Sequence, residues 1–182
     1  MFSQLKEEQK YWRERLKIER LQVLLDREID LYDEINAGIY KAEALSKEAK
    51  VFGIEFVADM KIAELSKESI SKTNKHNDKL MEHHKHIYEL SAKLQMAELY
   101  FGSKVDQLIN PLEKEIENNF FNNNIMTSDS LDIYNIEQVL GYMNRHLETT
   151  ESLNIARKNL LKEMRCEIDQ ISKQIYSSGD KN

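Results

Sequence analysis

The chain has 182 residues, a net charge of −6 at neutral pH and 32 % charged residues, with one proline, five glycines and one cysteine. Because glycine and proline end helices and strands, their scarcity excludes a protein of many short elements and turns. The single cysteine excludes an intrachain disulfide framework, and the negative charge disfavours nucleic-acid binding. These features predict an all-α protein of few, long helices.

Apolar residues recur at three- and four-residue steps from the N-terminus, which predicts a first helix over residues 3–36. Within it, residues 10–27 hold an excess of basic residues beside Tyr11 and Trp12. Such a stretch can meet an anionic membrane surface or an RNA. We expect a solvated helix face instead, with no peripheral membrane contact.

A seven-residue apolar repeat continues into a second predicted helix, residues 39–72, after Ala37 and Gly38. The polar stretch that follows predicts a turn between antiparallel helices at residues 71–79, because its Asn, Asp and Thr side chains compete with helical hydrogen bonds.

The third predicted helix, residues 78–109, has the clearest heptad repeat in the chain. Pro111 suits the first position of a short fourth helix over residues 111–121, for which Asn110 is the cap. Residues 122–130 are rich in asparagine and predict a loop.

The last predicted helix spans residues 131–176, and residues 177–182 form a predicted disordered tail. Thr150, Asn154 and Arg157 interrupt its apolar stripe, and polar residues at such positions can fix helix register and partner number.

Together these segments predict one helical domain over residues 1–182, an elongated antiparallel bundle or coiled coil of three to four long helices. Its heptad positions are the predicted interface for self-association or partner binding. These positions are Leu80, Ile87, Leu94, Phe101, Leu108, Leu140, Leu147, Asn154, Leu161 and Ile168.

Four of the five histidines lie within residues 75–86. On one helix His76, His83 and His86 would lie within about 80° of one another, and three imidazoles on one face can bind zinc. In the register of Leu80 and Ile87, however, His83 takes a core position, which favours the polar end of a helix interface. A pH-responsive interface, which needs no metal, is a third interpretation.

Sequence motifs of the common enzyme classes are missing from the chain. It has no Glu-x-x-His pair, no His-Glu-x-x-His motif, no paired Cys-x-x-Cys and no glycine-rich phosphate loop. Cys166 has no histidine nearby in sequence that would activate it. We therefore predict a protein that is not an enzyme and has no cofactor, apart from zinc if the histidines bind it.

These observations predict a structural or adaptor protein that acts through coiled-coil contacts with other proteins and with itself. No apolar stretch approaches the roughly 20 residues of a membrane span, and the N-terminus lacks the apolar middle of a signal peptide. We therefore expect a cytoplasmic protein.

The order of the predicted elements supports a second interpretation. Long helices before and after an irregular middle, with almost no cysteine, form a layout similar to that of the secreted filament and needle-tip proteins of bacterial type III secretion. The resemblance implies a helical subunit that is exported without a cleavable signal peptide and polymerises.

Overall fold

The computed structural model describes residues 2–62, 67–121 and 151–179, with side-chain burial for residues 6–48, 51, 75, 77–119 and 151–177. All of the described residues except Phe101 and Gly102 lie in helices, so the all-α prediction is confirmed. The elements are α1 (Phe2–Ile62), α2 (Lys67–Tyr100), α3 (Ser103–Ile116), a π-helical turn (Glu117–Phe121) and α4 (Glu151–Gly179).

α1 and α2 pack side by side in opposite directions. Lys79 on α2 lies 3.1 Å from the Glu48 carboxylate on α1, and Lys93 lies 3.6 Å from Glu34. Later residues of α2 therefore contact earlier residues of α1, so the two helices are antiparallel.

α3 lies between α2 and α4 and is antiparallel to both. The Ser91 hydroxyl of α2 donates to the Glu113 carboxylate at 2.8 Å. On the other side, Lys104 lies 3.6 Å from Glu163, and Ser152 donates to Glu115 at 2.7 Å.

α4 also contacts α1, which closes the arrangement. The Arg157 guanidinium lies 3.8 Å from the Glu43 carboxylate. Because the α1–α2, α2–α3, α3–α4 and α4–α1 pairs are all in contact, the described helices form a helical bundle with its core at the centre.

The core consists of apolar residues at three- and four-residue steps, the spacing that places side chains on one helix face. Burying each Leu or Ile stabilises the fold by roughly 1.5–3 kcal/mol. The buried apolar residues are Leu31, Ile35, Ile39, Ala42, Ile87, Leu90, Leu94, Ala97, Phe101, Val105, Ile109, Leu112, Ile116, Leu153, Leu160 and Met164.

Two boundaries predicted in the first half of the chain are wrong. α1 continues through Ala37 and Gly38, because one glycine costs a helix only about 1 kcal/mol and Ile35 and Ile39 on either side are buried. The turn predicted at residues 71–79 lies inside α2, where Asn77 and Asp78 face solvent and Lys79 pairs with α1.

The helix predicted over residues 78–109 is interrupted at Phe101 and Gly102. Gly102 has an extended backbone, and its carbonyl accepts hydrogen bonds from Val105 and Asp106 in the first turn of α3. Pro111 therefore lies inside α3 rather than at a helix start, because Ile109 and Leu112 beside it are buried.

The last helix extends further than predicted, since Ser177 belongs to α4 and not to a disordered tail. Its hydroxyl donates to the Gln174 carbonyl at 3.2 Å. The loop predicted at 122–130, the helix start predicted at 131 and residues 180–182 lie outside the described residues.

Candidate functional site

His83 and His86 lie on the side of α2 that faces the rest of the bundle, in different surroundings. His83 is fully buried, as its heptad position predicts. His86 is half-buried, and its Nε2 donates to the Gly38 backbone carbonyl at 3.0 Å, which requires the proton on that nitrogen. Its Nδ1 lies 3.7 Å from the Glu89 carboxylate.

Gly38 allows α1 and α2 to approach closely at this level. A Cβ atom at this position would lie 2.9 Å from the Leu90 Cδ1 atom, closer than carbon atoms pack. The absent side chain thus leaves room for Leu90 and leaves the carbonyl within reach of His86. The histidines contribute here to the α1–α2 contact.

The predicted zinc site is not assembled by the side chains that the structure describes. Among them, no group of three His, Cys, Asp or Glu residues is placed to hold a metal ion. His76 belongs to α2, but its side chain lies outside the described set. The site formed by His76, His83 and His86 therefore stays a prediction.

Glu28 is a buried carboxyl group on α1 that sequence reasoning did not identify. It is 1 % exposed, and its Oε2 atom has no hydrogen-bond partner among the described residues. Burial and the negative charge of Glu167 raise the pKa of Glu28 from 4.5 to about 7. The group therefore changes protonation near neutral pH.

Glu167 connects this carboxyl group to the corner between α2 and α3. Its Oε2 accepts a hydrogen bond from the Gly102 backbone N–H at 2.7 Å. A Cβ atom on Gly102 would lie 3.3 Å from the other carboxylate oxygen, so the glycine allows this approach.

The predicted interface residues fall into several environments. Ile87, Leu94 and Phe101 are buried in the chain's own core, so they are not available to a partner in this fold. Asn154 is exposed, and Leu140 and Leu147 lie outside the described residues. The half-buried members are Leu80, Leu108, Leu161 and Ile168.

Arg157, predicted to interrupt the apolar stripe of the last helix, contributes to the contact between α4 and α1. Its guanidinium lies over the Tyr40 ring, 4.6 Å from the ring centre, and 3.8 Å from the Glu43 carboxylate. A cation over an aromatic ring is attracted to the ring's negative face. This residue therefore contacts α1 within the chain.

An open groove of about 610 Å³ runs between α2 and α3. Tyr88, Gln95, Asn110 and Lys114 are among its polar lining residues.

The exposed cysteine, Cys166, lies outside this groove, on α4.

The N-terminal part of α1 extends past the end of α2. Arg27 contacts the last turns of α2, with its guanidinium 5.6 Å from the Tyr100 ring centre and 3.7 Å from the Met96 sulfur. About 25 residues of α1 precede Arg27, a length of roughly 37 Å at 1.5 Å per residue. We call residues 6–24 the overhang.

The overhang exposes large apolar side chains. Trp12 is 58 % exposed, Leu16 is 50 % exposed and Val23 is 70 % exposed. At 100° per residue these three side chains lie within about 40° of one another, and we call them the apolar stripe. Arg15 lies over the Trp12 ring and pairs with Glu19 at 3.1 Å.

Sequence reasoning noticed Trp12 and the basic residues around it but did not recognise the stripe. The spacing of residues 12, 16 and 23 was present in the sequence. The sequence did not show that α2 ends opposite Arg27. Because α2 ends there, it does not cover the N-terminal part of α1.

None of the described helices contains an apolar stretch that could span a membrane. No family model, curated protein or solved structure matches the chain.

Proposed function

We propose that this protein is a non-enzymatic structural or adaptor protein of the cytoplasm. It binds helices of other proteins and of its own copies through coiled-coil contacts. The observation that carries the proposal is the overhang of α1, whose apolar stripe is exposed along a helix that extends beyond α2.

The first part of the overhang has little support from the rest of the chain. Residues 6–17 are all exposed, and an isolated helix of this length is only marginally stable in water. Docking a second helix on the stripe would bury Trp12, Leu16 and Val23, and each such burial stabilises a complex by roughly 1.5–3 kcal/mol before the cost of association. Tryptophan is also enriched among the residues that dominate binding energy.

A second copy offers the same stripe, so two chains can pair through a two-fold axis. In an antiparallel pair, Trp12 of one chain lies near Val23 of the other, with the Leu16 side chains towards the centre. Such a contact is closed and stops at a dimer, whereas a filament subunit needs two different surfaces.

Light scattering coupled to size-exclusion chromatography tests the proposal. At tens of micromolar, the natural chain should elute as a discrete oligomer. The double variant Trp12→Ser, Leu16→Ser should weaken association by at least about 100-fold, because it removes both large apolar side chains. Tyr176→Ser, which removes an exposed aromatic residue on α4, is the matched control and should leave the mass unchanged.

A monomeric natural chain, or an oligomer that the double variant does not change, would contradict the proposal. The same runs separate the other interpretations. Open-ended polymers would support a filament subunit, and dissociation by a chelator would support zinc at the histidines.

A further inference from the structure

A second pattern on the overhang indicates what kind of helix binds there. Five basic side chains are spaced by alternating steps of four and three residues, which places them within about 80° on one face. We call them the basic stripe, and they are Lys6, Lys10, Arg13, Lys17 and Arg20.

The basic stripe continues the face of α1 that contacts α2. Glu34 pairs with Lys93 of α2, and Arg27, seven residues earlier, contacts Tyr100. Further steps of seven residues lead from Arg27 to Arg20, Arg13 and Lys6. Heptad-related positions keep facing the same neighbour, so the stripe faces the space beyond the end of α2.

The basic stripe forms no ion pair within the described part of the chain, although Glu7 and Glu14 lie beside it. All five side chains are exposed, and none forms an ion pair with a described residue, whereas Arg15 on another face pairs with Glu19. An open groove of about 430 Å³ runs along this side, with Arg13, Lys17, Arg20 and Leu24 among its lining residues.

We propose that the basic stripe binds an acidic helix of a partner protein, which lies along the overhang in line with α2. This inference rests on the proposed function, and it adds the kind of partner that one face of the overhang binds. Carboxylates at four- and three-residue steps on the partner would meet the five cations. A second copy does not supply this surface through its own overhang, because that would place basic side chains against basic side chains.

The charge pattern favours a helix over a membrane or a nucleic acid. A helix that lies on an anionic bilayer has a polar face rich in basic residues. Here the side of the apolar stripe away from the basic stripe carries Glu8 and Glu19 against Arg15, so it is not rich in basic residues. Nucleic acid presents phosphates over a wide surface, and Glu7 and Glu14 would meet them, whereas a single helix contacts only the narrow stripe.

Titration calorimetry of the full chain with synthetic helical peptides tests this proposal. The probe is a peptide of three heptads with Glu at alternating four- and three-residue steps, and its control has Gln at the same positions. We expect the Glu peptide to bind at least about tenfold more tightly, with affinity falling as salt rises. Arg13→Glu should weaken binding by about tenfold or more.

Arg165→Glu is the matched control, because it makes the same charge change at an exposed position of α4, outside the overhang. It should change the affinity by less than about threefold. Equal losses in the two variants would overturn the proposal, as would tighter binding of phosphatidylserine vesicles or of a single-stranded oligonucleotide. If the chain self-associates but does not bind the Glu peptide, this inference alone is wrong. If the chain is a monomer and does not bind the Glu peptide, the proposed function is wrong as well.

Discussion

Glu28 is an unusual core residue, because its buried Oε2 atom has no hydrogen-bond partner among the described residues, which is costly for a carboxylate. It lies in the same face of α1 as the buried Leu31 and Ile35. The fold accommodates the side chain as a neutral acid, and ionisation near Glu167 adds like-charge repulsion.

The pH dependence of stability follows from this shift. The pKa of Glu28 is about 7 in the fold against an ordinary value of 4.5, so the folded state binds the proton more tightly than the unfolded state. Its contribution to stability is therefore complete below pH 4.5 and is lost as the pH rises to about 7. The loss is on the order of 3 kcal/mol.

Glu28→Gln should remove this dependence, because an amide of the same shape does not ionise. We expect the free energy of unfolding of the variant, relative to the natural chain, to rise between about pH 4.5 and pH 7, as measured by urea denaturation. Glu98→Gln, at an exposed position of α2, is the control. A constant difference across this range would show that the fold does not raise the pKa of Glu28 above its ordinary value.

Single residues differ in how far sequence could predict them. The burial of His83 followed from its heptad position, because the period of the helix fixes which face it occupies. The bond from His86 to the Gly38 carbonyl and the effect of Glu167 on Glu28 could not be predicted, because each joins two helices whose relative register depends on packing across the core.

At the scale of the elements, α3 shows how packing overrides a local signal. Pro111 lacks an N–H group, so the Gln107 carbonyl one turn earlier loses its helical partner. The helix nevertheless continues, because Val105, Ile109, Leu112 and Ile116 bury one stripe across the proline. The sequence signal for a helix start was real but weaker than this burial.

Pro111→Ala should stabilise the protein, because alanine restores the hydrogen bond at an exposed position inside the helix. We expect a gain of roughly 1–2 kcal/mol, after allowing for the greater freedom of the unfolded chain without proline. Thermal unfolding followed by circular dichroism measures it. A loss of stability would indicate that Pro111 begins a helix, as sequence alone suggested.

The boundary between α2 and α3 was missed for a related reason. Phe101 and Leu108 continue the heptad of the preceding helix, so the apolar pattern alone predicted no interruption. At Gly102 the chain turns, and α3 buries Val105 and Ile109 while Leu108 is only half-buried. Apolar spacing reports a helix face, but it does not report where a chain reverses direction.

At the scale of the whole molecule, composition and periodicity were enough to predict an all-α protein, because few glycines and prolines leave long helices as the main option. They did not predict how far each helix extends beside its neighbour. The overhang is a consequence of this difference in length, since α1 begins about 25 residues before the level of Arg27, where α2 ends.

The most direct test of the overhang as a binding surface is amide hydrogen exchange along α1 at low and high protein concentration. We predict fast exchange in residues 6–17 of the dilute monomer, because all of them are exposed, and slower exchange once the chain self-associates. Residues 31–42, in the core, should be protected at both concentrations. Exchange in residues 6–17 that does not change with concentration would contradict a binding role for the overhang.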